Sequence, residues 1–125
     1  MVSTMSVVNS MSRAGTVVWA DFGTTQGREQ SGQRPALDIA STDFEDVVQG
    51  LTILLPCTRK DRGWNNHILL TGQTGIGTPT FAMTEQPRTI STARIQRVLG
   101  RVDANCLATI SRWTHLWMHE PARAR

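Results

Sequence analysis

The chain has 125 residues, 39% of them hydrophobic and 18% charged, with a formal net charge of +3. That length holds one domain with a single core and is too short for two. No stretch reaches the apolar length of a helical membrane span, so the composition excludes that class and gives a soluble globular domain as the starting expectation.

The charge is unevenly distributed. Residues 1–58 carry three basic and six acidic side chains, a net −3, and residues 59–125 carry ten basic and four acidic, a net +6. Only one of the basic residues is lysine. The planar guanidinium fork suits bidentate phosphate contacts better than an ammonium does, so a polyanion partner, RNA or DNA, fits the second half. A solvated arginine-rich surface fits the same composition equally well.

The N-terminal "MVSTMSVVNSMSRAG" has one basic residue and no continuous apolar core, so it is not expected to be a secretory signal. It reads as a flexible extension over 1–12, with Met11 as an alternative start. The domain is expected over 13–119, and 120–125 form a basic tail. "TVVWADF", Thr16 to Phe22, is β-branched and aromatic and predicts a strand ending at Gly23. Residues 23–33 contain no aliphatic side chain and predict a long polar loop of the kind that carries function. "RPALDIAS" predicts a second strand, with Leu37 and Ile39 on the core face and Ala36, Asp38 and Ala40 on the other. Asp38 interrupts an apolar run, so it must face solvent or find a partner.

"STDFEDVVQ", 41–49, predicts an acidic loop or short turn. "LTILLPCT", Leu51 to Thr58, is the most apolar stretch and predicts a central strand, with Pro56 marking an edge, a bulge or the exit. "RKDRGWNN" predicts a basic turn, "HILL" a short strand and "TGQTGIGTP" a Gly/Thr turn. "TFAMTEQPRTIS" predicts a strand pair or bent strand broken at Pro87. "STARIQRVLG" predicts one helical turn, capped by Ser91 or Thr92 and closed by Gly100. From Asp103, as N-cap, Leu107, Ile110, Trp113 and Trp117 recur at helical spacing and predict an amphipathic helix of about four turns. Many short strands followed by a helix predict a mainly β fold, a small curved sheet or barrel with a C-terminal helix packed on it.

Familiar metal and nucleotide motifs are missing. The chain has no P-loop, and its glycine-rich stretches lack the strand–turn–helix context of a dinucleotide site. Cys57 and Cys106 have no histidine at ligand spacing and sit among apolar residues, as buried free thiols of a reducing compartment would. His115 and His119 are four apart on the C-terminal helix but have no third ligand, so solvation is expected there and neither a metal nor a cofactor is predicted.

A set of polar and basic groups lies at strand ends: Glu29, Arg34, Thr58, Arg59, Lys60 and Arg62. Such a set can bind phosphate, and it can cleave RNA without a metal, because the 2′-hydroxyl is a nucleophile already beside its phosphorus. The enzyme must align it, neutralise the phosphorane and help the 5′-oxygen leave. The plain alternative is a surface ion pair between Arg34 and Glu29, with Thr58 an ordinary strand residue.

"TVVWADFGTTQGREQSGQRPAL" resembles the opening of the MazF/PemK (Kid) family of toxin endoribonucleases. "LLPCTRKDRGW" is similar to the family's second block, a strand ending in Pro-x-Thr before a polar turn, and "FAMTEQPRTISTARI" to its third. The blocks stand in the family's order over roughly residues 13–118.

The resemblance implies an SH3-like barrel of the CcdB/PemK type with a C-terminal helix, and a homodimer whose groove holds single-stranded RNA. It implies a cytoplasmic toxin that cleaves mRNA, rRNA or tRNA selectively and without metal, leaving a 2′,3′-cyclic phosphate and a 5′-hydroxyl. A cognate antitoxin with an acidic disordered segment would occupy the groove, and DNA would be met only indirectly, through the antitoxin complex. By position, Arg34 matches the catalytic arginine, Thr58 the threonine at the scissile phosphate, and Glu29 the loop glutamate. Arg28, Gln30, Arg59, Lys60, Arg62, Gln86 and Arg88 are the RNA-binding candidates.

The chain departs from the family at several places. Arg28 stands where a small Ser is usual, Thr25 near a common Pro, Asp38 at an apolar strand position, and Glu85-Gln86-Pro87 for Asp-Gln-aliphatic. Two alternatives remain on the same fold. A CcdB-like gyrase poison would act through a C-terminal Trp motif, whereas Trp113 and Trp117 sit at core spacing here. A noncatalytic SH3-like module for RNA or protein would not need both Arg34 and Thr58.

Overall fold

A computed structural model describes residues 13–24 and 32–120. The expected extension over 1–12, most of the 23–33 loop and the basic residues of the tail lie outside the described residues.

Eight strands form one curled sheet: β1 (Thr16–Asp21), β2 (Gln33–Asp38), β3 (Leu51–Thr58), β4 (His67–Leu69), β5 (Gly72–Gln73), β6 (Phe81–Met83), β7 (Arg88–Ser91) and β8 (Ile95–Val102). Their order is β4-β6-β3-β2-β1-β8-β5, with β7 also pairing β3. Among the described residues there are also two α-helices, α1 (Thr42–Val47) and α2 (Ala104–Met118). The β1–β8 register slips between Val17 and Val18 and again between Trp19 and Ala20. Bulges of this kind bend a sheet on itself.

The central strands are buried on both faces, which corrects the expectation of a single core face in "RPALDIAS". Val17, Leu37, Leu55, Cys57 and Ala82 form one cluster with Cys106 and Ile110 of α2. Val18, Ala20, Phe22, Ala36, Leu54 and Ile90 form a second on the opposite face. Alternation distinguishes two faces but says nothing of which one is covered, and here curling covers both.

Asp38 is therefore buried, 1% exposed, and its partners lie within the fold. Its Oδ1 accepts from the Ala40 N–H at 3.0 Å and its Oδ2 from the Thr52 hydroxyl at 2.9 Å. Desolvation pushes its carboxyl above the usual carboxylate range, and these two hydrogen bonds pull against that shift. Pro56 lies within β3, opposite Ala36. On the other edge of β3, β7 pairs as far as Leu54 and β6 begins at Cys57. Pro56 thus falls between two partners, where a missing N–H costs no ladder bond.

Two expectations fail for local reasons. Residues 42–47 form α1 and not a loop, because the Ser41 hydroxyl caps Phe44 N–H at 3.1 Å and Asp43 and Glu45 lie in the first turn. That cap and charge pattern was present in the sequence. In "STARIQRVLG", Ser91 does cap a turn, but it is a short 3-10 turn over Thr92–Arg94, and the rest is the long strand β8. Two residues of the expected Gly/Thr turn, Gly72 and Gln73, form β5 and pair with Val102 and Arg101 of β8. Gly100 does not close a helix. A Cβ built there would run into the backbone of Gln73 and Thr74. Gly100→Ala is accordingly expected to destabilise the protein by roughly 1–3 kcal/mol through overpacking of the β5–β8 seam, measured by denaturant unfolding.

Helix α2 starts as expected, with Asp103 Oδ1 accepting from Cys106 N–H at 2.8 Å. Its buried face is Cys106, Ile110 and Thr114. Trp117, expected in the core, is 48% exposed and is held at one edge by its Nε1–H donating to Thr84 Oγ1 at 3.1 Å.

The arginine excess is partly structural. Arg88 and Arg94 donate to the carbonyls of Phe22 and Asp21, and Arg101 donates to the Ala14 carbonyl at 2.8 Å. These side chains brace the ends of β1, so the basic second half is not wholly a surface for an anion.

Candidate active site

The site lies where β2 begins and β3 ends. The two strands pair antiparallel with Ala36 opposite Pro56, and continuing that register by two residues brings Arg34 level with Thr58. Both line one cavity of about 570 Å³. A pleated ladder fixes both backbones, so two side chains 24 positions apart in sequence are held together by rigid elements.

Arg34 is half-buried, and its Nη1–H donates to the Cys57 carbonyl at 3.2 Å. Burial pulls its pKa below the ordinary guanidinium value, and the nearby Arg62 acts in the same direction while Cys57 opposes. Full burial pushes the Cys57 thiol up to about 12. At neutral pH it is therefore an uncharged thiol. Arginine remains protonated under these conditions.

Thr58 closes β3. Its Oγ1 accepts from Lys60 N–H at 3.1 Å, which uses a lone pair and leaves the hydroxyl proton for another acceptor. The following turn is tightened by Gly63 N–H donating to Asp61 Oδ1 at 2.9 Å, with Gly63 at φ 72. This turn carries Arg59 and Lys60 to the cavity rim. Among the described residues no Asp or Glu lines the cavity. The electrostatic field there favours an anion, and the opposing donors of Arg34, Thr58 and Lys60 suit a phosphate.

The predicted residues divide into three groups. Arg34, Thr58, Arg59 and Lys60 come together around the cavity. Arg62, Gln86 and Arg88 do not line it. Arg62 lies over Trp64, 6.0 Å from the ring centroid, with its buried Nη1 unpartnered. Gln86 Nε2 donates to Glu85 Oε2 at 3.2 Å. Arg88 lies over Phe22 at 5.3 Å. Glu29, Arg28 and Gln30 are outside the described residues.

Nothing in the sequence singled out the rest of the cavity lining. It includes Trp19 and Pro35, paired across β1 and β2, and Ile76, Thr78 and Thr80. Ile76 and Thr78 stand in a stretch with only turn signals, and nothing in a turn predicts which strand ends it will cover. Among the described residues no cluster of His, Cys, Asp or Glu could hold a metal, and no helix is long and apolar enough to cross a membrane.

The model of the family of PemK-like, MazF-like toxins of type II toxin–antitoxin systems matches residues 13–117. The chain belongs to this family. Its mainly β architecture with a C-terminal helix is the one expected of the family. A family relative, the endoribonuclease MazF9 of Mycobacterium tuberculosis (strain ATCC 25618 / H37Rv), is 31% identical over 106 residues, covering 80% of this chain and 90% of that protein. The endoribonuclease toxin MazF of Escherichia coli (strain K12) is 31% identical over 77 residues. That match covers 62% of this chain and 66% of the relative, just under two thirds of its length. The crystal structure of MazF from Deinococcus radiodurans superposes with a TM-score of 0.73 at 24% identity, covering 84% of this chain and 94% of that one. An endoribonuclease from a mycobacterial species, in complex with its cognate antitoxin, has the same fold, with a TM-score of 0.65 at 15% identity, covering 92% of this chain and 99% of that one.

Proposed function

We propose that this protein is the toxin of a type II toxin–antitoxin pair and acts in the cytoplasm as an endoribonuclease on single-stranded RNA, arresting translation. The observation that carries the proposal is the pairing of a partly buried guanidinium, Arg34, with a hydroxyl, Thr58, on adjacent strands of a cavity rimmed by Arg59 and Lys60. Membership of the toxin family and two relatives named as endoribonucleases support it.

The chemistry needs few groups. The 2′-oxygen attacks phosphorus in line, the P–O5′ bond breaks, and a 2′,3′-cyclic phosphate and a 5′-hydroxyl result. Arg34 would bind the nonbridging oxygens as negative charge builds on the phosphorane, and the leaving 5′-oxygen would take its proton from water, balancing the one lost by the 2′-hydroxyl. Thr58, its lone pair taken by Lys60 N–H, would donate to a nonbridging oxygen. Glu29, on the polar loop before Arg34, is the candidate to accept the 2′-proton. Since charge stabilisation and the nucleophile come from the protein and the substrate, no metal is required in this scheme.

Splayed, single-stranded RNA is the expected substrate, because A-form grooves hide the base edges. The cognate antitoxin would cover the same cations with an acidic segment, and DNA would be met only through that complex. Leu116, Trp117 and Met118 are exposed in succession at the end of α2, which supports a second copy as partner in a homodimer.

The test is incubation of the purified protein with unstructured RNA in EDTA, followed by mapping of both new ends. Cleavage leaving 5′-hydroxyl ends is expected; its absence would refute the nuclease reading and favour a noncatalytic binding module. Thr58→Val, close in shape but without the hydroxyl, is expected to slow cleavage by about 10- to 100-fold, the worth of one hydrogen bond to a charged group. Single-turnover rates would measure it.

A further inference from the structure

Trp19 lies in the middle of β1, and its indole belongs to neither hydrophobic cluster. Its neighbours Val17, Val18 and Ala20 are all core residues, whereas Trp19 is only half-buried. A large aromatic ring on a central strand is expected to pack inside. This one instead lines the cavity that holds Arg34 and Thr58. Across the sheet it is paired with Pro35 on β2 and with Arg97 on β8. The guanidinium of Arg97 sits over the indole, 6.0 Å from the ring centroid. A cation over the ring holds its plane in place and adds positive charge beside the cavity.

The cavity lining has two chemistries. Arg34, Arg59, Lys60 and the Thr58 hydroxyl supply charge and donors, and Trp19, Pro35 and Ile76 supply apolar surface, together with the hydroxyls of Thr78 and Thr80. A phosphate fits the first. A flat, apolar-faced ring with polar edges fits the second. A volume of about 570 Å³ is in the range that takes a small ligand the size of a nucleotide.

We propose that Trp19 is a stacking platform for one nucleobase adjoining the scissile phosphate, its ring held by the Arg97 guanidinium packed against it. This rests on the nuclease reading and adds to it a substrate-positioning residue. Stacking on an aromatic face tolerates any base, so Trp19 would set the register of the RNA more than its sequence. The choice of base would fall to the polar groups at the ring's edge, of which Gln33, Thr78 and Thr80 line the cavity.

The experiment begins with the cleavage site mapped on unstructured RNA. A short oligonucleotide spanning that site, with a 2′-deoxyribose at the scissile nucleotide to block cleavage, is then titrated against wild type, Trp19→Phe and Trp19→Ala. Binding is expected to weaken by roughly 10- to 100-fold in Trp19→Ala, and to stay within about 3-fold of wild type in Trp19→Phe. The same titrations are repeated with oligonucleotides carrying one abasic ribose at each position in turn. At one position next to the scissile phosphate, wild type should lose affinity by a similar factor and Trp19→Ala should lose no more. That single non-additive position is the signature of a stack, which a merely destabilised variant would not give.

Trp19→Ala binding as tightly as wild type, or an abasic scan with no such position, would overturn the platform while leaving the nuclease intact. Wild type that neither binds nor cuts RNA would overturn both.

Discussion

Arg34→Ala is expected to slow RNA cleavage by at least about 10²- to 10³-fold, the cost of losing one preorganised group that meets developing charge. The protein should remain folded. Arg34 is half-buried at a strand end and donates to the Cys57 carbonyl at 3.2 Å. Losing that bond costs about 1 kcal/mol. Arg34→Lys keeps the positive charge but not the planar fork, so it should restore only part of the rate. Single-turnover assays in EDTA, with circular dichroism as the check on folding, separate these effects. Equal cleavage by Arg34→Ala and wild type would remove Arg34 from the reaction. A variant that binds noncleavable RNA normally yet cuts slowly would show that its contribution arises in the transition state.

The second large effect concerns stability and comes from Asp38. Its carboxylate is almost wholly buried and accepts from both Ala40 N–H and the Thr52 hydroxyl, tying the end of β2 to β3. Asp38→Ala would strand both donors and should cost about 2–4 kcal/mol. At this chain length that lowers Tm by roughly 10 °C. Asp38→Asn behaves differently. Its amide oxygen can still accept from Ala40 and its NH2 can donate to Thr52 Oγ1, with no charge left to bury. It should lie within about 1 kcal/mol of wild type at neutral pH, or above it.

The pH dependence has a definite sign. Burial raises the Asp38 carboxyl above its unfolded value, so the folded state holds this proton more tightly than the unfolded state does. Raising the pH from the ordinary carboxylate value through the raised one therefore removes stability, and the loss is complete above the raised value. The stability of Asp38→Asn relative to wild type should grow across that window and then level off. Thermal unfolding of both proteins at a series of pH values measures it. A difference that shrank as the pH rose would contradict the buried-charge account.

The sequence carried the strands well where side-chain pattern alone decides them. Thr16 to Asp21 and Leu51 to Thr58 are β-branched and apolar, and both are strands. The start of α2 was legible because its cap is local: Asp103 bonds Cys106 N–H three residues on. The Ser41 cap of α1 is equally local, but in so short and acidic a segment it looks like a turn signal. β8 was not legible in this way. "RIQRVLG" has residues that suit a helix as well as a strand, and only pairing with β1 and β5, remote in sequence, makes it a strand.

The site divides along the same line. Arg34 and Thr58 could be named because their residue types, at the ends of apolar strands beside polar turns, carry a chemistry and a family likeness. Arg88, Arg94 and Arg101 look no different in sequence from Arg59 and Lys60. Yet they brace β1, and only Arg59 and Lys60 reach the cavity rim. Trp19 reads only as part of a β-branched, aromatic strand, and the folded sheet places it in the cavity lining.

By itself, then, the sequence determined what depends on neighbours in the chain: the strands whose side-chain pattern is apolar and β-branched, and the local cap that starts α2. The tertiary structure alone decided which faces are covered, what Asp38 bonds to, and which cations and which aromatic ring face the cavity. Those outcomes depend on sheet register and curvature, which bring together residues many positions apart and leave no local pattern behind.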